Sequence, residues 1–385
     1  MEYSTPPEGA TETKTRARRR RWPLALLPAA VALELAVAAS PPLVERLYSQ
    51  SLYRVVSAMF AASFGRVSFS AGETLLWTAV GGAAAWTVRR LRRVVRARGR
   101  RRAVLVSTLA DAWAAAGAVY LAFVILWGLN YRRPPYAVLA GLDARPATVA
   151  ELTAVCERLI RETNDARDKL PEDAAGVARL ADGRPGALRR APAGYGAAAR
   201  IEPVLAGASA PAKPVMVSTV LSYLGISGIF SPFTGEANVN MTLPDPDVPF
   251  AACHELAHAR GFAREDEANY VGYLACTCHP DPDFRYSGRL AASVYAMNEL
   301  ARVDREGHAR LEARRAPGVR RDLAALAAWA ERYRGPAERV SRAVNNAYLK
   351  SQGQEEGVRS YGRMVDLLIA EERARLTAGR RRGSE

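Results

Sequence analysis

Histidine and cysteine are both scarce in this sequence, with four of each among 385 residues. Cys156, Cys253, Cys276 and Cys278 could form two disulfide bridges or remain small buried thiols, so they do not decide the redox compartment. The sequence also lacks the low hydrophobicity and high charge of disordered chains, because hydrophobic residues make up 49% and charged residues 24%. No repeat of solenoid period is present. We therefore expect two or more folded units, at least one with a sizeable core.

Acidic residues are scarce in the first third of the chain. Residues 1–133 contain 20 Lys/Arg and only 7 Asp/Glu, so the formal net charge of +15 belongs almost entirely to this part. Its basic stretches alternate with apolar ones. We interpret them as the flanks of a membrane anchor that contacts membrane lipids, and we expect no nucleic-acid partner.

Three apolar segments are predicted to span the membrane, at residues 22–40, 71–88 and 103–129. A hydrocarbon core of ~30 Å requires about 20 apolar residues, and the third segment fits this best. The first contains Glu34, which must face another helix or water because a carboxylate in lipid is costly. A polar arm precedes the first segment and two more apolar segments follow it, so a cleaved signal peptide is not expected.

Arginine-rich flanks predict the orientation of these segments. KTRARRRR precedes the first, and RRLRRVVRARGRRR (residues 89–102) separates the second from the third, so both flanks are expected in the cytoplasm. Everything after Tyr131 is then extracytoplasmic. In the outer connection, apolar residues recur at three- and four-residue spacing from Val44 to Phe60. This pattern predicts either a helix lying in the membrane surface or a tight helical hairpin between spans.

The fold class expected is mainly α, with N-terminal transmembrane helices followed by an α+β domain that has a small sheet and a helical C-terminal part. The predicted parts are a basic cytoplasmic arm (1–21), a membrane anchor (22–133), an extracytoplasmic domain (134–378) and a tail (379–385). NYRRPP is expected to form a rigid exit linker. KPVMVSTV, from Lys213, predicts a strand, residues 225–241 predict a hairpin, and the pattern from Val248 onward is helical.

One stretch concentrates the chemistry, with the zinc signature HExxH at His254, Glu255 and His258. Residues four apart project from one face of a helix, so both imidazoles can bind one Zn²⁺ with Glu255 beside its open position. Asp247 is expected to cap this helix, Pro249 suits its first turn, and Gly261 provides the stop. Small apolar neighbours indicate that the helix is buried.

A catalytic zinc needs a third protein ligand, and Glu265 is the predicted one. Asn269 follows it by four residues, a spacing that suits support of a histidine ligand. Glu267 remains an alternative, because only six residues separate His258 from Glu265. Gly261 also matches the metzincin pattern HExxHxxGxxH, but Arg264 stands where the third histidine would be.

The remaining histidines are less informative. His279 could form a second metal site with Cys276 and Cys278, but a histidine that is hydrogen-bonded at a helix end is favoured. His308 lies in a charged helix and is expected to be solvated.

At these residues the sequence resembles a known family. The motif block, ISGIFSPFTGEANVN, WGLNYRRPP and YLKSQGQEEGVRSYGRMVDLL together resemble the bacterial membrane-anchored family called domain of unknown function 3810, which is related in its motif to zinc peptidases. The resemblance covers most of residues 20–375. It implies a zincin-like domain outside the bacterial inner membrane and names no substrate.

The function expected is hydrolysis of peptide or amide bonds in proteins or peptides of the cell envelope. Zinc would activate a water, Glu255 would take its proton and pass it to the leaving amine, and a further donor would stabilise the oxyanion. Tyr361 is the chosen candidate for this donor, with Arg363 and Tyr348 as alternatives.

The segment 225–240 is expected to bind an extended substrate at a strand edge, although it could merely cover the motif helix. The alternative function is a non-catalytic zinc-containing membrane sensor or scaffold. An intact Glu255 favours the hydrolase, since a scaffold has no need of a general base.

Overall fold

The structure, a computed structural model, describes residues 22–208, 210–352 and 363–382. Most of them are helical, and three short strands form one sheet, so the expected mainly α class with a small sheet is confirmed. The N-terminal helices are α1 (Leu26–Ala38), α2 (Pro41–Leu43), α3 (Tyr53–Phe64), α4 (Ala71–Arg96) and α5 (Arg101–Leu126). A π-helical segment, Val44–Leu52, joins α2 to α3, and short 3₁₀ helices occur at Trp22–Ala25 and Gly128–Arg132.

The helices that follow are α6 (Tyr136–Leu139), α7 (Val149–Arg167), α8 (Gly183–Arg190), α9 (Pro192–Ala198), α10 (Ser218–Tyr223), α11 (Val248–Ala259), α12 (Glu265–Cys278), α13 (Pro282–Val303), α14 (Arg305–Glu312), α15 (Pro317–Tyr333), α16 (Pro336–Ser351) and α17 (Met364–Arg382). The strands are β1 (Lys213–Pro214), β2 (Gly228–Ser231) and β3 (Glu236–Val239). Further 3₁₀ turns lie at Pro203–Leu205 and Asp245–Asp247.

Of the three predicted spans, α5 alone is a straight helix long and apolar enough to cross a membrane among the described residues. Only 11% of its most apolar stretch is buried, whereas the core helix of a soluble protein is mostly buried. The helical stretches Trp22–Ala38 and Pro41–Phe64 qualify only as a pair, and they are bent by 104°. The described residues therefore contain one or two candidate spans rather than three, since α4 does not meet the same criterion.

The expectation for Glu34 is met in α1. Its carboxylate is buried and accepts a hydrogen bond of 3.0 Å from the Tyr120 hydroxyl of α5. A second contact between apolar helices joins Arg90 of α4 to Asp111 of α5. Glu34, Arg90 and Asp111 thus each have a partner on a neighbouring helix.

The sheet has the order β1-β3-β2, with β1 parallel and β2 antiparallel to β3. The predicted hairpin is β2 and β3, paired from Gly228↔Val239 to Ser231↔Glu236. It turns through Gly235, whose φ of 65° favours glycine. Strand β2 pairs with β3 alone among the described strands, so its outer edge is unpaired.

The predicted strand KPVMVSTV is wrong beyond its first two residues. Lys213 and Pro214 pair with β3, Val215 adds one backbone hydrogen bond to Val239, and α10 begins at Ser218. The backbone N–H groups of Met216 and Val217 donate to the carboxylate of Glu73 instead of to a neighbouring strand. A tertiary contact with α4 therefore ends the strand, despite the β-branched composition.

Helix α11 lies at the centre of the largest core and packs against α12, α13 and both strands of the hairpin. Every residue of α11 except His254 is buried. The four cysteines are free thiols, and none forms a disulfide bridge.

Candidate metal centre

The start and end of α11 follow from its sequence with one exception. Pro249 occupies its first turn, and Gly261 follows its end with a φ of 80°. A side chain at Gly261 would also collide with Asn130, since a Cβ there would lie 2.7 Å from Asn130 Oδ1. Asp247 stands at the N-cap but makes no side-chain capping hydrogen bond, so the predicted Asp247 cap is wrong.

Helices α11 and α12 bring the three predicted ligands together. The Nε2 atoms of His254 and His258 lie 3.2 Å apart, and Glu265 Oε2 lies 3.3 Å from His254 Nε2 and 3.7 Å from His258 Nε2. We call these three side chains the donor cluster. Among the described residues no other group of three His, Cys, Asp or Glu side chains converges in this way.

The spacing of the donor cluster fits a tetrahedral zinc ion. Ligand atoms about 2.0–2.1 Å from such an ion lie about 3.3–3.4 Å from one another. The three observed separations fall around this value. In addition, Glu265 Oε2 is buried without a well-aligned hydrogen-bond donor. Two imidazoles and one carboxylate with an unsatisfied oxygen are a donor set suited to zinc.

Hydrogen bonding orients His258 but not His254. The Nδ1 of His258 lies 2.8 Å from the carbonyl oxygen of Phe262, which leaves Nε2 for the donor cluster. His254 Nδ1 is buried without a partner, and so is Asn269 Nδ2. The predicted support of a histidine by Asn269 is therefore not present in the structure.

The three groups stabilise each other's charge. Burial opposes the charged imidazolium, but the carboxylate of Glu265 outweighs it and raises the pKa of His258 to about 9. Burial likewise opposes ionisation of Glu265, yet the two imidazoles hold its pKa well below the usual range. A cation bound here would take over the role of the imidazolium charge.

Glu255 lies beside the donor cluster and beneath strand β2. It is only 4% exposed, and burial raises its pKa. A Cβ at Gly228 would lie 2.5 Å from Glu255 Oε1, so the glycine leaves room for the carboxylate under the strand. The general-base candidate is therefore held between the donor cluster and the edge strand.

The alternative ligand Glu267 lies outside the donor cluster. Its Oε1 accepts a hydrogen bond of 2.7 Å from the backbone N–H of Tyr136 and pairs with Arg264 at 2.7 Å. Both partners hold the Glu267 carboxylate away from the donor cluster. The geometry therefore favours Glu265 over Glu267.

A cleft of about 1390 Å³ opens over the donor cluster. Strand β2 lines one side, and α16 lines another with Val340, Val344 and Tyr348. Four residues that no motif or spacing marks for the cleft also line it: Trp127, Tyr131, Asp247 and Tyr295. Tyr131 and Trp127 stand in WGLNYRRPP, which hydropathy alone assigns to the membrane exit.

The three oxyanion candidates have different positions. Tyr361 lies outside the described residues. Arg363 is exposed and pairs with Asp366 at 3.9 Å. Tyr348 lines the cleft, where its hydroxyl lies 3.1 Å from the hydroxyl of Tyr131. Of the described candidates, only Tyr348 borders the cleft.

His279 belongs to the core rather than to a second metal site. Its ring stacks on Phe284 with centroids 3.8 Å apart, and its Nε2 lies 3.0 Å from the carbonyl oxygen of Arg190. Cys276 directs its thiol at the carbonyl oxygen of Pro249. The favoured interpretation, a hydrogen-bonded histidine at a helix end, agrees with these contacts.

One family model, described as protein of unknown function (DUF3810), matches residues 48–369. The match confirms the family that the motifs indicated, and it includes every residue of the donor cluster, Glu255 and the hairpin. No curated protein and no solved structure gives a significant match.

Proposed function

The chain belongs to the DUF3810 family, and from its donor cluster we propose that it is a zinc-dependent hydrolase of peptide or amide bonds. One observation carries the proposal: two imidazole nitrogens and one carboxylate oxygen converge at 3.2–3.7 Å on the floor of an open cleft, with Glu255 beside them. Structural zinc sites are closed by four protein ligands, whereas hydrolytic sites keep a position for water.

The chain's own residues supply the other parts of such a reaction. Zinc, when bound, supplies Lewis-acid activation of water and of the substrate carbonyl. Glu255, held between the donor cluster and β2, accepts the proton of the attacking water and delivers it to the leaving amine. Tyr348 borders the cleft and can donate its hydroxyl hydrogen to the developing oxyanion. Tyr361 and Arg363 are the other candidates for this donor.

Strand β2 is suited to bind the substrate. Its outer edge is unpaired, it borders the cleft, and its Gly228 lies directly over Glu255. An extended peptide that pairs with this edge would pass next to the donor cluster. We therefore propose peptides or proteins in extended conformation as substrates.

We also propose that the protein is anchored in the bacterial inner membrane with this cleft outside the cytoplasm. The low burial of α5 supports a membrane helix over a core helix. The arginine-rich segment 89–102 lies at the ends of α4 and α5 that are remote from the cleft, as the positive-inside rule expects for the cytoplasmic side.

The decisive experiment compares the wild type with Glu255→Gln in zinc content and in cleavage of an unbiased peptide library. We expect both proteins to bind one zinc, and Glu255→Gln to cleave about 10²–10⁴-fold more slowly, because only proton transfer is lost. Equal cleavage by the two proteins would refute the assigned base. Zinc retained without any cleavage by the wild type would favour the scaffold over the hydrolase.

A further inference from the structure

We infer that the cleft is fixed at the outer membrane surface, so that its substrates are bonds held within a few residues of the bilayer. This inference rests on the proposed hydrolase function and on the membrane anchor, and it adds the substrate class: the juxtamembrane segments of membrane-bound proteins or peptides. Four sets of contacts carry it, and all join the N-terminal helices to the donor cluster, to the end of α11 or to the sheet beside the cleft.

The first contact comes from Trp127, the residue that follows α5. Its indole N–H donates to the carbonyl oxygen of His258 at 3.0 Å, and the two rings pack edge to face with centroids 6.0 Å apart. Trp127 also contacts Phe230 of β2, with ring centroids 5.2 Å apart. One side chain therefore separates the end of the membrane helix from a metal-ligand candidate.

No flexible spacer lies between α5 and the cleft. Asn130 is buried and accepts a hydrogen bond from Ser49 at 2.9 Å. Arg133 is buried, pairs with Glu45 at 2.6 Å and donates to the carbonyl oxygen of Gly261 at 2.9 Å. The exit segment, expected to act as a linker, is thus packed against the end of the motif helix, and the height of the cleft above α5 is fixed.

The second contact comes from α3. Its Tyr53 hydroxyl donates to the carbonyl oxygen of Ala259 at 3.0 Å, and its Ser57 hydroxyl donates to the same oxygen at 3.1 Å. These groups satisfy carbonyls at the C-terminal end of α11, which a helix leaves without internal partners. Residues assigned by sequence to the anchor therefore complete the helix that carries both histidines.

The third and fourth contacts tie the start of α4 to the sheet. The backbone N–H groups of Ala71 and Gly72 donate to the buried carboxylate of Glu236 in β3, at 3.1 and 2.6 Å. Glu73 in turn accepts from the backbone N–H groups of Met216 and Val217, just after β1. The sheet beside the cleft is therefore hydrogen-bonded to the start of α4.

Helix length gives the resulting position relative to a bilayer. Helix α5 has 26 residues, which is about 39 Å of helix, enough for a hydrocarbon core of about 30 Å. Helix α4 has the same length and packs against α5, although it does not meet the same criterion for a span. The start of α4 and the end of α5 meet the cleft domain, and the arginine-rich turn lies at their other ends. An extended substrate chain advances about 3.3 Å per residue. Because the donor cluster is so close to the end of α5, such a chain reaches the cluster only a few residues after leaving the membrane.

The segment between α1 and α4 supports this position. It meets α1 at a bend of 104°, which favours the membrane-surface helix over an antiparallel hairpin. Its apolar side chains that are at least half exposed are Leu43, Leu47, Leu52, Val55, Met59 and Phe69. Such a surface is stable at a lipid interface rather than in water.

The test uses the full-length protein in lipid nanodiscs together with single-span reporter proteins. Each reporter carries the same cleavable sequence, taken from the peptide library, after a 20-residue spacer that is either a flexible Gly/Ser chain or an (EAAAK)₄ helix. The helical spacer holds the bond about 30 Å above the bilayer, whereas the flexible one lets it return to the surface. We expect the flexible reporter to be cleaved at least tenfold faster, and a reporter without spacer to be cleaved at least as fast as the flexible one.

A second measurement locates the cleft without using activity. A nitroxide label at Ile229→Cys, on β2, is compared with one at Arg310→Cys, on α14, in nanodiscs that contain a nickel-chelating lipid, with the unsubstituted chain as the background control. We expect clearly stronger relaxation of the Ile229 label by the lipid-bound nickel. Equal or weaker relaxation would overturn the inference, whatever the enzyme does.

The two measurements separate the failures. Equal cleavage of both spacer reporters and of the same sequence as a soluble peptide would overturn the substrate class while leaving the hydrolase in place. Absence of cleavage above the Glu255→Gln background in every reporter would overturn both proposals, even if the Ile229 label confirmed the position of the cleft.

Discussion

Helices α5 and α11 are both rich in alanine and apolar residues, yet their surroundings are opposite. In α5 only Gly117 and Val124 are buried, although it is the one single helix among the described residues that is long and apolar enough to cross a membrane. In α11 every residue except His254 is buried, including Glu255 and His258. Apolar groups are thus exposed in one helix, and ionisable groups are buried in the other.

Apolar side chains are usually buried and ionisable ones exposed, and each helix departs from this rule for a different reason. Exposed apolar side chains are stable only if the surrounding medium is itself apolar, which supports lipid around α5. Buried ionisable side chains are costly unless they are paired or bind a metal, which supports a functional role for α11. The contacts of Trp127 join the two helices, so α5 and the candidate site form one packed structure.

The largest effect should come from breaking the donor cluster. Removal of an outer-shell partner costs roughly 10–100-fold in metal affinity, so we expect Glu265→Gln, which removes a ligand, to weaken zinc binding by more than about 100-fold. Zinc affinity is measured by competition with a chelator of known affinity.

Glu267→Gln is the matched control, two residues away on the same helix. It loses the pairing with Arg264 and weakens the hydrogen bond from Tyr136, so the variant should be less stable but retain zinc. If Glu267→Gln released zinc and Glu265→Gln did not, the ligand assignment would be reversed.

The next largest effect should come from a charge on the exposed face of α5. Leu109 is 69% exposed, and arginine near the centre of a membrane helix costs about 3 kcal/mol, or roughly 100-fold in partitioning. We expect Leu109→Arg to reduce the membrane-integrated fraction, measured by carbonate extraction and fractionation.

The same substitution outside the apolar helices provides the comparison. Val303 ends α13 and is also more than half exposed, so Val303→Arg should leave membrane integration unchanged. If both variants kept the same membrane-integrated fraction as the wild type, α5 would face water, and its exposed apolar side chains would not indicate lipid.

The smallest effect concerns Asp247, at the start of α11, where burial raises the pKa to about 6 from an ordinary 3.8. The folded protein then disfavours the ionised form, so stability falls as pH rises from about 4 through 6 and stays reduced above that. We expect Asp247→Asn to increase the free energy of unfolding by about 1–3 kcal/mol at pH 7.5 and to have no effect at pH 4. Thermal unfolding at both pH values checks this, and a stabilisation of equal size at pH 4 would exclude titration as the cause.

Local patterns predicted much of this site. Spacing in HExxH and the following acidic turn identified His254, His258 and Glu265, because residues four apart on a helix must share a face. Turn residues likewise located the hairpin that became β2 and β3. These features depend on neighbours within a few residues.

Three local predictions failed: Asp247 makes no capping hydrogen bond, Asn269 does not support a histidine, and the strand after Lys213 ends early. For the strand the competitor is visible, because the carboxylate of Glu73, more than a hundred residues away in sequence, accepts the next two backbone N–H groups. Propensity and spacing carry no information about such partners.

The sequence by itself determined which residues offer metal-ligand chemistry, that the chain is mainly helical, and where the long apolar helix α5 lies, because these follow from side-chain chemistry and short-range periodicity. Only the tertiary structure decided between Glu265 and Glu267 and brought Glu255 beneath Gly228. It alone placed Trp127, Tyr53 and Glu236 where their hydrogen bonds support the site. Those outcomes depend on the packing of segments up to about two hundred residues apart, where a hydrogen bond or a close contact forms only after the whole core has assembled.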